Sequence, residues 1–338
     1  MRKCKHIYAV DSHTMGEPTR VVTGGLFIPS CASMRAKKDF LAASMDYVRT
    51  SLMMEPRGHR DMFGAILCEP VHPEADLGVV FMDGGGYLDM CGHGSIGAVT
   101  VALEMGFVET REPETRLVLD TPAGLVEARA MIRNGTVESV TIRNVPAFVL
   151  RRGMTVEPRG FAPFPVDIAY GGNCFALAEA SSLGLDIVPA NADRFIEAGM
   201  SLLAALRAGP RFRHPATAEP LEVSLAEFTG PASVPGASAR NVVVFGRGQI
   251  DRSPCGTGTC ARMASLHTAG LLLLDRAFVH ESILGTTFSG MLVAETRVGG
   301  VDAVVPEITG RAFLTGMQDF LIDGGDPLKY GFTLGAAN

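Results

Sequence analysis

The sequence predicts an α+β protein built of two pseudo-symmetric lobes, each a curved, mostly antiparallel sheet around a central helix. Three observations favour this class. The motif Cys-Gly-x-Gly-[Ser/Thr] occurs twice, at Cys91 and Cys255, which lie 164 positions apart (255 minus 91) in a chain of 338 residues. Each copy leads into a helix-like run that stops at a glycine, Gly106 or Gly270. Segments with the short, β-branched or alternating pattern of strands outnumber helical ones elsewhere.

The repeat also sets the expected domain boundaries. An N-terminal lobe carrying Cys91 is predicted to comprise residues 1–130 plus 320–338, and a C-terminal lobe carrying Cys255 to comprise residues 131–319. Chains of this length usually form two domains. A hydrophobic content of 47% is sufficient for two cores.

In the first half of the chain, strand patterns precede the first motif. Strands are predicted over 6–10, 20–23, 65–68 and 77–82. One helix is predicted over 34–54, where apolar residues recur at helical spacing. The glycine-rich turn at 83–87 lacks a Gly-Lys-[Ser/Thr] sequence and the Rossmann spacing, so nucleotide binding is disfavoured.

The second half alternates strands and turns around the second motif. Strands are predicted over 117–119, 124–130, 137–142, 166–169, 241–245, 281–284, 291–295, 303–306, 312–315 and 320–322, with an extended segment over 144–148. Asn134-Gly135 is the pair typical of a tight hairpin turn. A helix is predicted over 191–206. The segment 216–238 is rich in Ala, Pro, Ser and Glu, and we interpret it as connecting chain.

The two motifs, termed the cysteine boxes, carry the functional prediction. A Gly-x-Gly turn at a helix N-terminus exposes amide N–H groups and the positive end of the helix dipole, which favour an anion such as a carboxylate. The same field is expected to lower the pKa of a cysteine at that position. Free cysteines are most often buried packing residues, but two in matched glycine-rich helix starts favour chemistry. If both thiols flank one carbon, one can remove a proton and the other can return one on the opposite face.

Composition excludes several classes of function. The formal net charge of −6 and the absence of a long basic run argue against nucleic-acid binding. The seven cysteines form no regular pattern, no secretory start is recognised, and no run of 18 uncharged apolar residues predicts a membrane helix. The cytoplasm is therefore the expected compartment.

No cofactor or metal is expected. A pyridoxal-phosphate enzyme needs a Schiff-base lysine, and no lysine lies in a cysteine box or glycine-rich loop; the lysines are Lys3, Lys5, Lys37, Lys38 and Lys329. Cys255 and Cys260 do not form a Cys-x-x-Cys motif, and Cys91-x-His93 is poor zinc spacing. A redox protein or a zinc site is therefore disfavoured.

At the two cysteine boxes, the second one preceded by Asp251-Arg252-Ser253-Pro254, the chain resembles the proline racemase family. The likeness extends over nearly the whole sequence and includes the segments 11–14, 55–59, 144–148, 281–285 and 326–332. That family is similar in fold to diaminopimelate epimerase. The resemblance implies cofactor-independent inversion at the α-carbon of an amino acid, with Cys91 and Cys255 as the acid/base thiols.

The resemblance also implies roles for neighbouring residues. Backbone N–H groups of four box residues would hold the substrate carboxylate, namely Gly92, His93, Gly256 and Thr257. Asp251 and His93, with His214 as a further candidate, would contact the ring nitrogen. Phe63 and Phe245 would form an apolar wall around an unsubstituted ring.

Those two phenylalanines favour proline racemase, with 4-hydroxyproline 2-epimerase as the alternative. A trans-3-hydroxy-L-proline dehydratase typically has Thr or Ser at the second cysteine, so Cys255 disfavours that activity. A non-catalytic amino-acid binder stays open, as does a homodimer. Cys260 departs from the Ser common in the family and is expected to pack rather than react, whereas Cys174 is a candidate for a place close to the pocket.

Overall fold

The computed structural model describes residues 4–334. Residues 1–3 and 335–338, which include Lys3 and both ends of the predicted N-terminal lobe, lie outside the described residues. The α+β class is confirmed. Tertiary contacts divide the chain into two compact units: the first extends to Ile142 and resumes at Arg311, and the second is Arg143–Gly310. Among the described residues, no helix has both the length and the apolar character needed to cross a bilayer.

Strands predominate over helices along the chain, as the sequence predicts. In order, the elements are β1 (Cys4–Thr14), β2 (Glu17–Gly24), α1 (Met34–Ser44), α2 (Tyr47–Met53), β3 (Phe63–Cys68), β4 (Leu77–Asp83), β5 (Tyr87–Leu88), α3 (Gly92–Glu104), β6 (Glu114–Thr121), β7 (Gly124–Arg133), β8 (Thr136–Arg143), β9 (Ala147–Val156), β10 (Phe164–Tyr170), β11 (Cys174–Glu179), α4 (Ala192–Ala208), β12 (Phe212–Arg213), β13 (Pro220–Leu221), β14 (Val223–Gly230), β15 (Ala239–Phe245), β16 (Gln249–Asp251), α5 (Gly256–Thr268), β17 (Phe278–Glu281), β18 (Thr287–Val298), β19 (Val301–Gly310) and β20 (Ala312–Asp323).

In the first unit, α3 is the buried helix. β1 pairs antiparallel with both β2 and β20, and β2 runs parallel to β3. α3 lies against these four strands and is buried from Gly92 to Leu103. α3 carries apolar residues on several sides, such as Ile96, Val99 and Val101, and all three are buried. A helix with apolar residues all round is stable in a protein core, which explains the position of α3.

In the second unit, strand pairing closes on itself. The ladder runs from β9 through β10, β11, β14, β15, β17, β18 and β19 and returns from β19 to β9. α5 lies against β9, β10, β11, β18 and β19. α4 packs on β14 and β15 through one apolar face that includes Phe195, Leu202 and Leu203. The second box therefore starts a helix held by strands on several sides.

The single helix predicted over 34–54 is wrong, because the chain breaks it into α1 and α2. Met45 leaves the helical conformation (φ −134°), and its N–H closes α1 on the carbonyl of Leu41. Asp46 then binds the Arg49 guanidinium at 2.7 and 2.8 Å. The apolar spacing continues through the break, which is why periodicity alone suggests one helix.

The interpretation of residues 216–238 as connecting chain is also wrong. This segment contains β13 and β14, and β14 joins two strands: it runs parallel to β11 and antiparallel to β15. Val223, Ala226 and Phe228 of β14 are buried in the core. Glu227, a fully buried carboxyl, lies between two of these apolar residues and conceals the strand pattern.

The turns and helices around the boxes agree with the sequence. α3 and α5 begin directly after Cys91 and Cys255. The glycines that follow them, Gly106 and Gly270, have φ of 72° and 74°, a left-handed conformation that ends helices and costs glycine little. Asn134-Gly135 has positive φ at both residues, as a tight hairpin turn requires.

Candidate active site

The first cysteine box caps α3. Cys91 is the N-cap residue, with extended backbone (φ −149°, ψ 127°), and its sulfur accepts the Gly94 N–H at 3.5 Å. The Ser95 hydroxyl donates to the Cys91 carbonyl at 2.7 Å. The first turn of a helix leaves amide N–H groups without an intrahelical acceptor. The box therefore combines a half-buried thiol with amides suited to a carboxylate.

His93 places an imidazole beside this thiol. Its Nδ1 lies 3.2 Å from Cys91 Sγ. The imidazole is buried, and the Phe63 ring contacts it edge-on at 4.4 Å between centroids. The Thr14 hydroxyl donates to the His93 carbonyl at 2.9 Å. The predicted residues Phe63, Cys91 and His93 therefore form one continuous cluster.

The second box has a different backbone. Cys255 adopts φ 60° and ψ 107°, a conformation that L-residues with a Cβ rarely take and that is found mainly at functional sites. The preceding turn holds it there: Cys255 N–H donates to Ser253 Oγ at 3.1 Å, and that hydroxyl donates to Asp251 at 2.7 Å. The Asp251-Arg252-Ser253-Pro254 sequence thus links a buried carboxylate to the thiol's own backbone.

Thr257 occupies the position in the second box that His93 occupies in the first. Its hydroxyl lies 3.9 Å from Cys255 Sγ and accepts the Asn173 amide at 3.3 Å. Gly171 packs against this turn, since a Cβ on Gly171 would overlap the Thr257 carbonyl. The loop 171–173 therefore supports the N-terminus of α5.

Burial raises the pKa of Cys255 well above the ordinary thiol value, and the nearby Asp251 and Glu227 act in the same direction. The hydrogen bond from Gly258 N–H to the sulfur opposes them. The lowered pKa expected of a cysteine at a helix N-terminus is therefore wrong for Cys255. The helix field is outweighed because the thiol is only 5% exposed and has two carboxyl groups as neighbours.

Strand register places Phe245 and Asp251 relative to the second thiol. Val243 packs in one apolar cluster with Cys255, and it lies opposite Asp251 on the neighbouring strand. Phe245, two residues further along β15, therefore projects from the same sheet face as Val243. Asp251 and Phe245 therefore project from the face of the sheet that packs against Cys255.

His214 occupies a separate turn. Its Nδ1 accepts the N–H groups of Ala216 and Thr217 at 3.3 Å, and its ring contacts Phe148 and Tyr170 edge-on. Over residues 4–334, its hydrogen bonds and ring contacts join it to this turn and these two rings rather than to a cysteine box. Its role at the substrate stays a prediction.

The two other cysteines singled out from the sequence are packed. Cys260 is fully buried, and burial raises its pKa to about 12, as expected of a thiol that packs. Cys174 lies in the apolar core of the second unit, and burial likewise raises its pKa to about 12.

In the glycine-rich turn before the first box, the backbone amides form hydrogen bonds within the turn itself. Asp83 accepts the N–H groups of Gly85 and Gly86 at 2.7 and 2.8 Å, and Arg49 donates to the carbonyls of Asp83 and Gly84. Those amides are therefore engaged by a carboxylate of the chain itself. Within the described part of the chain, no group of three or more His, Cys, Asp or Glu side chains could hold a metal ion.

Sequence reasoning missed three polar residues behind Cys255. Glu227 and His280 are fully buried, as is Asn241, whose amide donates to the Pro254 carbonyl at 2.8 Å. Glu227 lies in the segment interpreted as connecting chain. The apolar residues Val223, Leu225, Ala226 and Phe228 were the available signal for a buried strand there, and Glu227 interrupts them.

Comparison with known proteins agrees with the family resemblance of the two cysteine boxes. Residues 9–333 match the Proline racemase family. A proline racemase of Clostridioides difficile is 47% identical over 334 residues, covering 99% of this chain and 100% of that protein. A 4-hydroxyproline 2-epimerase of Streptosporangium roseum is 45% identical over 334 residues, covering 99% and 100%. The crystal structure of a hydroxyproline epimerase from Agrobacterium vitis, with bound trans-4-OH-L-proline, has a TM-score of 0.91 at 35% identity and covers 99% of this chain and 96% of that one.

These matches define an isomerase. More closely, the chain belongs to the proline racemase family, as the resemblance of its two boxes predicts.

Proposed function

We propose that this protein racemises proline without a cofactor, by proton transfer between two thiols and the α-carbon. The observation that carries the proposal is the matched start of α3 and α5. In each, a cysteine precedes the first turn, and the amide three residues on hydrogen-bonds to its sulfur, Gly94 to Cys91 and Gly258 to Cys255.

In this mechanism the thiols have opposite protonation states. The cysteine that begins as a thiolate takes the α-proton from one face, and the thiol of the other returns a proton to the opposite face. First-turn amides of Gly92, His93, Gly256 and Thr257 hold the carboxylate, where negative charge grows as the proton leaves. Preorganised donors of this kind are worth about 2.7–4 kcal/mol each in other enzymes.

The remaining predicted contacts orient the ring. Asp251 and His93, with His214 as the third candidate, contact the ring nitrogen, and Phe63 and Phe245 bound the apolar part of the ring. Support comes from the buried state of Asp251 and from the Phe63–His93 ring contact at 4.4 Å.

The test of the reaction is incubation of both proline enantiomers in heavy water. We expect loss of optical rotation from either enantiomer, with one solvent deuterium entering the α-position of the inverted product. Affinity for proline without exchange would instead indicate a non-catalytic binder. Loss of water from trans-3-hydroxy-L-proline would indicate a dehydratase.

The test of the two thiols is substitution of each by serine. Cys91→Ser and Cys255→Ser are each expected to lower racemisation by roughly a thousandfold or more, because a serine hydroxyl is a far weaker acid at neutral pH than a thiol. Cys31→Ser, which changes a half-buried cysteine outside both boxes, is the matched control and keeps wild-type activity. Substantial turnover in either box variant would exclude the two-thiol scheme.

The second candidate is 4-hydroxyproline 2-epimerase by the same chemistry. It is favoured by the 45% identical epimerase and by the neighbouring structure that holds trans-4-OH-L-proline. Phe63 and Phe245 favour proline, but an apolar pocket rejects an added hydroxyl only weakly. The ratio of kcat/KM for L-proline to that for trans-4-hydroxy-L-proline decides: a ratio above one supports the racemase.

We further propose that the two box-bearing halves are related lobes, as predicted with boundaries near 130 and 320.

The cytoplasm is the proposed compartment, with a small amino acid as the substrate and a homodimer as one option for assembly. Light scattering of the purified protein measures the assembly directly.

A further inference from the structure

Behind Cys255 lies a fully buried carboxyl group that the proposed reaction does not use, Glu227 of β14. Glu227 lies opposite Val243 on β15, and Val243 lies opposite Asp251 on β16. Residues directly opposite one another on adjacent strands project to the same face of a sheet. Because Val243 packs with Cys255, the two carboxyl groups and the thiol share that face.

Gly258, in the first turn of α5, is the point where carboxyl and thiol meet. A Cβ on this residue would overlap Glu227 Oε2 and would lie 3.1 Å from Cys255 Sγ. Both groups therefore approach the same backbone carbon from the side that glycine leaves open. Glu227 Oε2 is buried and has no hydrogen-bond partner among the described residues.

The other neighbours of Glu227 do not neutralise it by contact. Asn241 Nδ2 donates to Oε1 at 3.4 Å. His280 Nε2 is 3.8 Å from Oε1, but burial lowers the pKa of His280 to about 3, so this imidazole is neutral and the pair is not ionic. Arg262, on α5, acts at longer range and donates to Glu179 at 2.8 Å.

Burial therefore dominates, and it raises the pKa of Glu227 to about 7. The charged and titratable groups that face it from the surrounding elements are Asp251, Cys255, Arg262, Glu179 and His280. A carboxyl group that changes charge near neutral pH beside an acid/base thiol can alter the protonation of that thiol.

We propose that Glu227 is a positioning residue that sets, through its own charge, how tightly Cys255 holds its proton. When Glu227 is ionised, it adds a second negative charge to that of Asp251 beside the sulfur and disfavours the thiolate. When Glu227 is protonated, that repulsion disappears and the thiolate is easier to form. The proposal rests on the proposed acid/base role of Cys255, although its test requires no turnover.

The test follows alkylation of Cys255 by iodoacetamide as a function of pH, with mass spectrometry to resolve each cysteine. Alkylation requires the thiolate, so its pH midpoint reports the ionisation of the thiol. Glu227→Gln removes the charge with little change of shape. We expect its Cys255 midpoint to lie lower than that of the wild type by about one pH unit, with the Cys91 midpoint unchanged.

Two further variants separate charge from structure. Glu227→Asp keeps a carboxyl group and is expected to hold the Cys255 midpoint nearer to the wild-type value than to that of Glu227→Gln. Glu281→Gln is the matched control: Glu281 is also fully buried in the second unit, but it binds Ser233 and pairs with Arg240 at 3.3 Å. It should leave the Cys255 midpoint unchanged.

The wild-type protein provides a measurement that does not depend on the folding of a variant. Below its midpoint, an isolated thiol reacts about tenfold faster for each unit of pH. Coupling to Glu227 predicts a shallower rise through the neutral range, where this carboxyl group ionises, and a return to the full slope above it. A uniform tenfold rise, or equal Cys255 midpoints in wild type and Glu227→Gln, would overturn the proposal. A shifted midpoint in a protein that does not racemise proline would uphold it and reject the proposed function instead.

Discussion

At the scale of single residues, the second glycine of each box is required by what lies beside it. A Cβ on Gly94 would lie 2.8 Å from the Phe63 ring and 3.0 Å from the Phe81 ring. A Cβ on Gly258 would meet Glu227 and Cys255. The shared Gly-x-Gly pattern therefore has two different packing causes, an aromatic pair in the first box and a carboxyl–thiol pair in the second.

Gly94→Ala and Gly258→Ala are expected to destabilise the fold by about 1–3 kcal/mol each, because the added methyl groups must displace buried neighbours. Each should also lower racemisation at least tenfold, since the displaced groups flank the candidate site. Gly86→Ala is the control, as its Cβ would meet nothing within 4 Å. Denaturant titration and initial rates check both effects, and a Gly258→Ala protein with wild-type stability would contradict the account.

The backbone of Cys255 leads to a second prediction at this scale. A residue with a Cβ pays about 1–2 kcal/mol for a left-handed conformation that glycine adopts freely. Cys255→Gly should therefore be more stable than Cys255→Ala by about 1 kcal/mol, although both lack the thiol and racemise poorly. Equal unfolding midpoints for the two variants would show that Cys255 is not strained.

At the scale of helices and strands, the sequence suffices for α3 and α5. A cysteine and a glycine pair mark each start, and a glycine with positive φ follows each end. It does not suffice for β14, since Glu227 interrupts the apolar pattern that identifies a buried strand. The grouping of Glu227 with His280 depends on pairing between distant strands, which local periodicity does not report.

The raised pKa of Glu227, on β14, also predicts how the stability of the protein depends on pH. Its pKa is about 7 in the folded protein, against an ordinary value of 4.5. Between these values the folded protein binds more protons than the unfolded chain, so the free energy of unfolding falls as pH rises. The loss from this group is complete above the folded pKa and amounts to on the order of 3 kcal/mol.

Glu227→Gln has no such group and should lack that loss. Urea titrations at pH 5 and pH 8 are expected to show the wild type losing stability relative to Glu227→Gln as pH rises. Parallel pH dependence in the two proteins would mean that Glu227 does not change its protonation on unfolding.

At the scale of the whole molecule, one motif appears in two unlike surroundings. Cys91 is half-buried, has extended backbone and lies 3.2 Å from an imidazole nitrogen. Cys255 is 5% exposed, has a positive φ and lies near two carboxyl groups. The two thiols of the proposed reaction are therefore not equivalent in their surroundings, which the repeated motif alone does not reveal.

This difference predicts which cysteine reacts first with an external reagent. At pH 7 the raised pKa of Cys255 leaves little thiolate, and its burial limits access, so we expect iodoacetamide to alkylate Cys91 at least about tenfold faster. Site-resolved mass spectrometry over a time course measures both rates, with Cys31 as a half-buried reference outside the boxes. If Cys255 reacted first, its thiol would hold its proton more weakly than the thiol of Cys91 does. That result would contradict the expectation that the carboxyl groups of Asp251 and Glu227 raise the pKa of Cys255.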